Sequence, residues 1–246
     1  MKKHLQNCLC VIPARGGSKR IPRKNVIDFA GKPLIAHSIE NALNSGVFDE
    51  VIVSTDDEQI ASVAKAYKAS VPFMRPKELC DDFISSNAAI THAIKEFGKK
   101  GLEFSSVCCL YATAPLIDSG ILRQAYAEFK DDECEFLFSA CAFDYPIQRA
   151  FALDDEKRVS MFDESKYYAR SQDLTPAFHD AGAFYFGKSS AWLEEKMTFK
   201  PYAKAFLLPR NLVCDIDTMQ DLEFAKILFD IKQNAKMTIF SQKESK

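Results

Sequence analysis

The first 142 residues alternate short, uniformly apolar runs with amphipathic stretches, and this alternation limits the fold more tightly than any other feature. The runs are CLCVIPA (8–14), EVIVST (50–55), SVCCLYA (106–112) and EFLFSAC (135–141), with SVPFM (70–74) as a further strand candidate. Between them, apolar residues recur at helical spacing: Leu34, Ile35, Ile39, Ala42 and Leu43; Ile60, Val63, Ala64 and Tyr67; Ile90, Ile94 and Phe97; Ile121, Leu122, Ala125 and Phe129. Asp56 or Asp57 stands where it would cap the second of these helices, and Asp118 where it would cap the fourth. A strand that is apolar at every position needs cover on both faces. The pattern therefore predicts an α/β fold with a single doubly wound, mainly parallel sheet. Such sheets bind ligands beyond the C-terminal ends of their strands, so the loops after residues 14, 55 and 112 are the first places to look.

The pattern changes after residue 142. Segment 143–185 carries scattered charges, aromatics and turn residues, with DDEKR (154–158) as a hairpin tip. It reads as an insertion in one domain spanning 1–246. AGAFYFG (181–187) and KAFLLP (204–209) are returning strands, and a last helix runs from Thr218 to Lys232 with Leu222, Ala225 and Leu228 inward. A polar tail, 233–246, follows.

Apolar residues make up 47% of the chain, enough for a substantial core. A net charge of -2 gives no bulk attraction for nucleic acid or an acidic membrane. The eight cysteines include no C-x-x-C pair, and most sit in apolar runs as core residues. A reducing, cytoplasmic setting is expected. The N-terminus lacks a signal-peptide core, and no stretch approaches the ~18 apolar residues of a membrane span.

The strongest chemical signal follows the first strand: Pro13-Ala14-Arg15-Gly16-Gly17-Ser18-Lys19-Arg20-Ile21-Pro22-Arg23-Lys24-Asn25. Two glycines let the backbone turn tightly and aim N–H groups into a shared concavity. Ser18 adds a hydroxyl. Five cations within ten residues, Arg15 to Lys24, repel one another unless an anion binds there. A triphosphate fits. The spacing matches neither the Walker loop nor the dinucleotide fingerprint. Late in the chain, Asp215 and Asp217 are spaced to share one face of an extended segment. Two hard carboxylates suit Mg²⁺ completed by substrate phosphates. The competing reading is that Asp217 or Thr218 caps the last helix, with Thr218 and Asp221 as a capping-box pair.

PARGGSKRIPRKN followed by GKPLIAHSIENAL resembles the signature of the sialic-acid-type (acylneuraminate) cytidylyltransferases. STDD (54–57), RPKELCDD (75–82) with Ser85-Ser86, and DIDT (215–218) extend the resemblance along almost the whole chain. It implies a Rossmann-like nucleotide-diphospho-sugar transferase fold. It also implies that Arg15, Gly16, Gly17, Ser18, Lys19, Lys24 and Asn25 hold the phosphates and ribose of CTP. Arg75 and Ser86 would read cytosine, with Asn87 nearby, and Asp215 and Asp217 would bind Mg²⁺. Arg15, Lys19, Lys24 and the two aspartates would carry catalysis.

On the acceptor side the chain departs from members that use N-acetylneuraminic acid. Their Q-P-T-S-P-L-R segment is here Tyr111-Ala112-Thr113-Ala114-Pro115-Leu116-Ile117. YATAPL, PIQRA, RSQDL and HDAG together resemble the branch that uses pseudaminic acid, with Ala183 standing where that branch has Gln. The resemblance implies that Tyr111, Thr113, Gln148, Arg149, Arg170, His179 and Asp180 meet an acidic nine-carbon sugar. It further implies a homodimer whose insertion reaches the partner's site. Rival readings are synthetases for CMP-N-acetylneuraminate, CMP-legionaminate or the eight-carbon keto-deoxy-octulosonate, and a non-catalytic nucleotide-binding subunit. A nucleic-acid-binding module is disfavoured by the acidic net charge.

Overall fold

A computed structural model describes residues 4–80 and 86–243. Its elements in chain order are β1 (His4–Pro13), β2 (Asp28–Phe29), β3 (Lys32–Pro33), α1 (Leu34–Ser45), β4 (Glu50–Ser54), α2 (Glu58–Ala66), α3 (Ser86–Lys99), β5 (Leu102–Leu110), α4 (Ser119–Asp131) and β6 (Phe136–Ala142). Then come β7 (Phe151–Leu153), β8 (Val159–Met161), β9 (Phe178–Lys188), α5 (Ser189–Leu193), β10 (Ala203–Leu207) and α6 (Met219–Lys243).

Six strands form one sheet in the order β10-β6-β9-β5-β1-β4. All neighbours pair in parallel except β9, which runs against both β5 and β6. The chain leaves β6 into the insertion and re-enters at the same end of the sheet, so β9 has to run backwards.

The apolar runs are explained by two cores. Cys8, Cys10 and Ile12 of β1 pack with Ile35 and Ile39 of α1 on one face. Leu9 and Val11, the alternating residues, pack with Ile90, Ala93 and Phe97 of α3 on the other. A third cluster, Ile21, Phe29, Leu34, Ile216, Leu222 and Ala225, ties the basic loop and the late aspartate segment to α6.

Three expectations are corrected. Segment 70–74 is no strand: only Ser70 bridges to Ile52, and Pro72 removes a ladder donor. Leu43 is 39% exposed and does not join its helix's inward face. The last helix passes Lys232 and continues to Lys243, because residues 233–243 contain neither Gly nor Pro to stop it. The expected hairpin is present: β7 and β8 pair antiparallel around the DDEKR turn, with Lys157 left-handed at φ 63°. The portion of the insertion outside the sheet is 143–177, since β9 already begins at Phe178.

Candidate active site

The basic loop is held from several directions. Asn25, buried, donates its amide Nδ2 to the Arg15 carbonyl at 3.0 Å. The Gly16 N–H donates to Asp56 Oδ1 at 3.0 Å. Gly16 also lies against Asp57, where a Cβ would stand 2.8 Å from Oδ2. A side chain there forces the loop off its anchor. Gly17 carries no such constraint, since a Cβ there meets nothing within 4 Å.

Arg23 sits in the left-handed region at φ 58°, a costly conformation for a residue with a Cβ. Its guanidinium grips Asp57 with Nη1 at 2.6 Å and Nη2 at 3.0 Å, and also bonds Gln59. The Arg23 hydrogen bonds hold the Asp57 carboxyl below its usual range. Asp57, not Asp56, is the cap of α2, accepting from the Ile60 N–H at 2.9 Å. Of the five loop cations, Arg23 is therefore spent on anchoring. The other four, Arg15, Lys19, Arg20 and Lys24, line an open cleft of about 400 Å³ at the C-terminal ends of the strands.

Asp215 and Asp217 line the same cleft, with Ile216 between them fully buried. That alternation confirms the expected extended geometry. Asp217 pairs with Arg20 at 2.8 Å and with Lys24 at 3.3 Å, while Lys24 Nζ also donates to the Ile216 carbonyl at 2.7 Å. The capping question resolves in favour of Thr218 and Asp221. Thr218 Oγ1 accepts from the Asp221 N–H at 3.2 Å, and Asp221 Oδ2 accepts from the N–H groups of Asp217 and Thr218. Asp217 keeps its carboxylate for the cleft. Asp215 retains contact with solvent, yet the surrounding protein and then the like charge of Asp217 push its carboxyl above the usual range.

Arg75 also lines the cleft; it is buried, hydrogen-bonded from Nη2 to the Ser54 carbonyl and from its backbone N–H to the Thr55 carbonyl at 2.7 Å. Its Nε is buried without a partner. Burial pushes the guanidinium below its ordinary value. Ser86 opens α3 and donates to the Tyr111 hydroxyl at 3.2 Å. Beside it, Asn87 Oδ1 is buried and unpartnered. A buried donor or acceptor of this kind ordinarily bonds a water or a ligand. Tyr111 and Thr113 also line the cleft, and burial pushes the Tyr111 phenol up to about 12. Asp81, Asp82 and Ser85 of the expected nucleotide segment lie outside the described residues.

The remaining predicted residues are elsewhere in the chain's own fold. Gln148 donates to the Thr175 carbonyl at 2.9 Å, and Arg149 and Arg170 are exposed on the insertion. His179 Nδ1 pairs with the Asp180 carbonyl at 2.8 Å, its ring edge-to-face with Phe143. Asp180 accepts from the Gly182 N–H at 2.8 Å and from the Tyr185 hydroxyl. Two participants carried no assigned role in the sequence reading: Arg20 in the cleft and Tyr185 behind Asp180. Arg20 was visible among the loop cations, whereas Tyr185 looks in sequence like any strand aromatic.

The chain matches the family model described as Cytidylyltransferase over residues 9–245. The chain belongs to the cytidylyltransferase family. It is 62% identical over 227 residues to pseudaminic acid cytidylyltransferase of Campylobacter jejuni subsp. jejuni serotype O:23/36 (strain 81-176), covering 92% of this chain and 98% of that one. It is 32% identical over 231 residues to CMP-N,N'-diacetyllegionaminic acid synthase of Legionella pneumophila subsp. pneumophila (strain Philadelphia 1), covering 92% and 98%. In fold it resembles CMP:2-keto-3-deoxy-manno-octonic acid synthetase, a structure complexed with CTP, at TM-score 0.68 and 19% identity over 92% of this chain and all of that one. This cytidylyltransferase is thus a nucleotidyltransferase with a cationic loop, two aspartates and a buried Arg around one cleft.

Proposed function

We propose that this enzyme transfers CMP from CTP to the anomeric hydroxyl of a nonulosonic acid, pseudaminic acid, and releases pyrophosphate. The observation that carries the reading is the convergence of Arg15, Lys19, Arg20 and Lys24 with Asp215 and Asp217 around one cleft. Its specificity for the base rests on Arg75 Nε and Asn87 Oδ1, an unpartnered donor and acceptor. Cytosine offers the complementary set, a ring acceptor edge and an exocyclic amine. The choice of sugar rests on the 62% identity to the Campylobacter enzyme over nearly its full length.

The sugar hydroxyl attacks the α-phosphorus of CTP, a new O–P bond forms, the bond to the β-phosphate breaks and the hydroxyl proton passes to solvent. Little covalent chemistry is asked of the protein; positioning and charge neutralisation do most of the work. The loop cations neutralise the pyrophosphate as its charge grows. Asp215 and Asp217 fit Mg²⁺: hard oxygens facing a polyanion site, with the Asp215 pKa raised by burial and then by the charge of Asp217. Among the described residues no cluster of three ligating groups exists, which suits an ion completed by substrate phosphates. Bound there, Mg²⁺ supplies charge neutralisation at the α-phosphate.

A homodimer completes the reading. Tyr145, Phe162 and Tyr168 of the insertion are 83%, 74% and 92% exposed, large side chains that a second copy would cover. Arg149 and Arg170, on the same insertion, would then reach the partner's sugar site, in a cytoplasmic enzyme.

The deciding experiment incubates protein with Mg²⁺, CTP and either pseudaminic or N-acetylneuraminic acid and follows pyrophosphate. Release with pseudaminic acid, lost on EDTA treatment and in Asp217→Ala, is expected. Release with N-acetylneuraminic acid alone overturns the substrate choice. No release from protein that binds CTP makes it a non-catalytic subunit.

A further inference from the structure

We infer that Lys232 of α6 is a positioning residue for the acceptor side of the cleft, an inference that rests on the acceptor proposed above. Tyr111 and Thr113 line the cleft from the segment between β5 and α4. That segment makes two tight turns, the Ala114 N–H donating to the Tyr111 carbonyl and the Ile117 N–H to the Ala114 carbonyl, both at 3.2 Å. Local turns fix its shape. Its place in the fold is fixed from outside, at both ends.

At the front, Ser38 Oγ of α1 donates to the Tyr111 carbonyl at 2.9 Å. The Tyr111 N–H donates to the Ala183 carbonyl at 2.9 Å, at the bulge where β9 shifts register against β6. At the rear, Lys232 Nζ donates to the Leu116 carbonyl at 2.5 Å and pairs with Asp118 Oδ2 at 3.2 Å. The Lys232 side chain is 12% exposed, a depth at which lysine is found paired. Asp118 Oδ1 meanwhile accepts from the Gly120 and Ile121 N–H groups, each at 3.1 Å. One carboxylate therefore caps α4 and receives the lysine. Ile117 is buried where the Q-P-T-S-P-L-R pattern ends in Arg, and the cation that meets this turn comes from α6.

The same helix bears on the phosphate side. Asp221 in its first turn accepts from the Asp217 and Thr218 N–H groups at 3.1 and 2.7 Å. Leu222 and Ala225 pack with Ile216 and with Ile21 of the basic loop. Through α6, Lys232 thus sets the Thr113 segment in register with Asp215, Asp217 and the loop cations. In-line attack depends on that register, since a misplacement of about 1 Å can cost about 10²-fold in rate. Without Nζ the Leu116 carbonyl loses this donor and the rear of the segment loses its tether.

The test measures steady-state pyrophosphate release with pseudaminic acid and with CTP varied in turn. Lys232→Met keeps the aliphatic stem and deletes Nζ. It is expected to lower kcat/KM for pseudaminic acid about tenfold while KM for CTP holds. Lys232→Arg, which supplies donors to both acceptors, is expected to restore most of the loss. An equal loss for sugar and CTP, or a lower Tm with unchanged kinetics, makes Lys232 a packing residue and overturns the inference. If Lys232→Met does not fold, Asp118→Asn decides, because it keeps a capping side chain and removes the charge that Lys232 faces. A fall in kcat/KM for the sugar alone supports the inference there, and unchanged sugar kinetics overturn it. If wild-type enzyme binds CTP but turns over no nonulosonate, the acceptor reading has failed and this inference falls with it. Failure of the Lys232 role alone shows instead as wild-type turnover that the variants match.

Discussion

Arg23 holds Asp57 with both guanidinium nitrogens, at 2.6 and 3.0 Å, across 34 residues of sequence. The same carboxylate caps α2 and packs against Gly16. One aspartate therefore fixes the helix after β4 and the loop after β1 in a single frame, and the cleft cations depend on that frame.

Gly16→Ala pushes a methyl into Asp57 and displaces the loop, whereas Gly17→Ala has open space. Gly16→Ala is expected to lower kcat/KM for CTP by about 10–100-fold, and Gly17→Ala to change it little. Steady-state kinetics with varied CTP checks the contrast.

Thr218→Ala and Asp217→Ala separate capping from chemistry. Thr218→Ala removes the helix cap, with an expected cost of about 1 kcal/mol in stability. Asp217→Ala is expected to leave Tm nearly unchanged, since its partner Arg20 is exposed and its other partner Lys24 keeps the Ile216 carbonyl, yet to abolish turnover. Thermal unfolding beside activity reads both.

Asp215 sets a pH dependence. Its folded pKa is raised, so the folded state binds that proton more tightly than the unfolded chain does. The stability this confers is present below the ordinary aspartate value and is lost as pH rises through the raised value. Asp215→Asn is therefore expected to be inactive but to melt above wild type at neutral pH. The gap should close as pH falls toward about 3. Melting curves across pH test the sign.

Asn87→Ala removes a buried acceptor that has no partner in the protein. Tm is expected to hold or rise, while KM for CTP rises up to about tenfold, the value of one hydrogen bond. A fall in Tm with unchanged KM defeats the assignment to cytosine.

Much of this was legible in the chain. The uniformly apolar runs disclosed a covered parallel sheet, because each β1 residue feeds one of two cores. The Arg15–Asn25 loop and the Asp215–Asp217 spacing disclosed the two sides of the cleft. Segment 70–74 misled because an apolar run with a proline looks like a strand until its missing donor is counted. Arg23 counted with the other loop cations because composition does not say which cation turns away.

Sequence by itself determined the sheet, the helices and the residue types around the cleft, since periodicity and local charge are properties of neighbouring residues. Only the tertiary structure decided which groups meet. Arg23 finds Asp57, Arg20 finds Asp217, Ser86 finds Tyr111 and Tyr185 finds Asp180. Three of these four pairings join separate elements, and the fourth turns on the bulged start of β9. Their partners are set by strand order and bulge geometry, which no local pattern encodes.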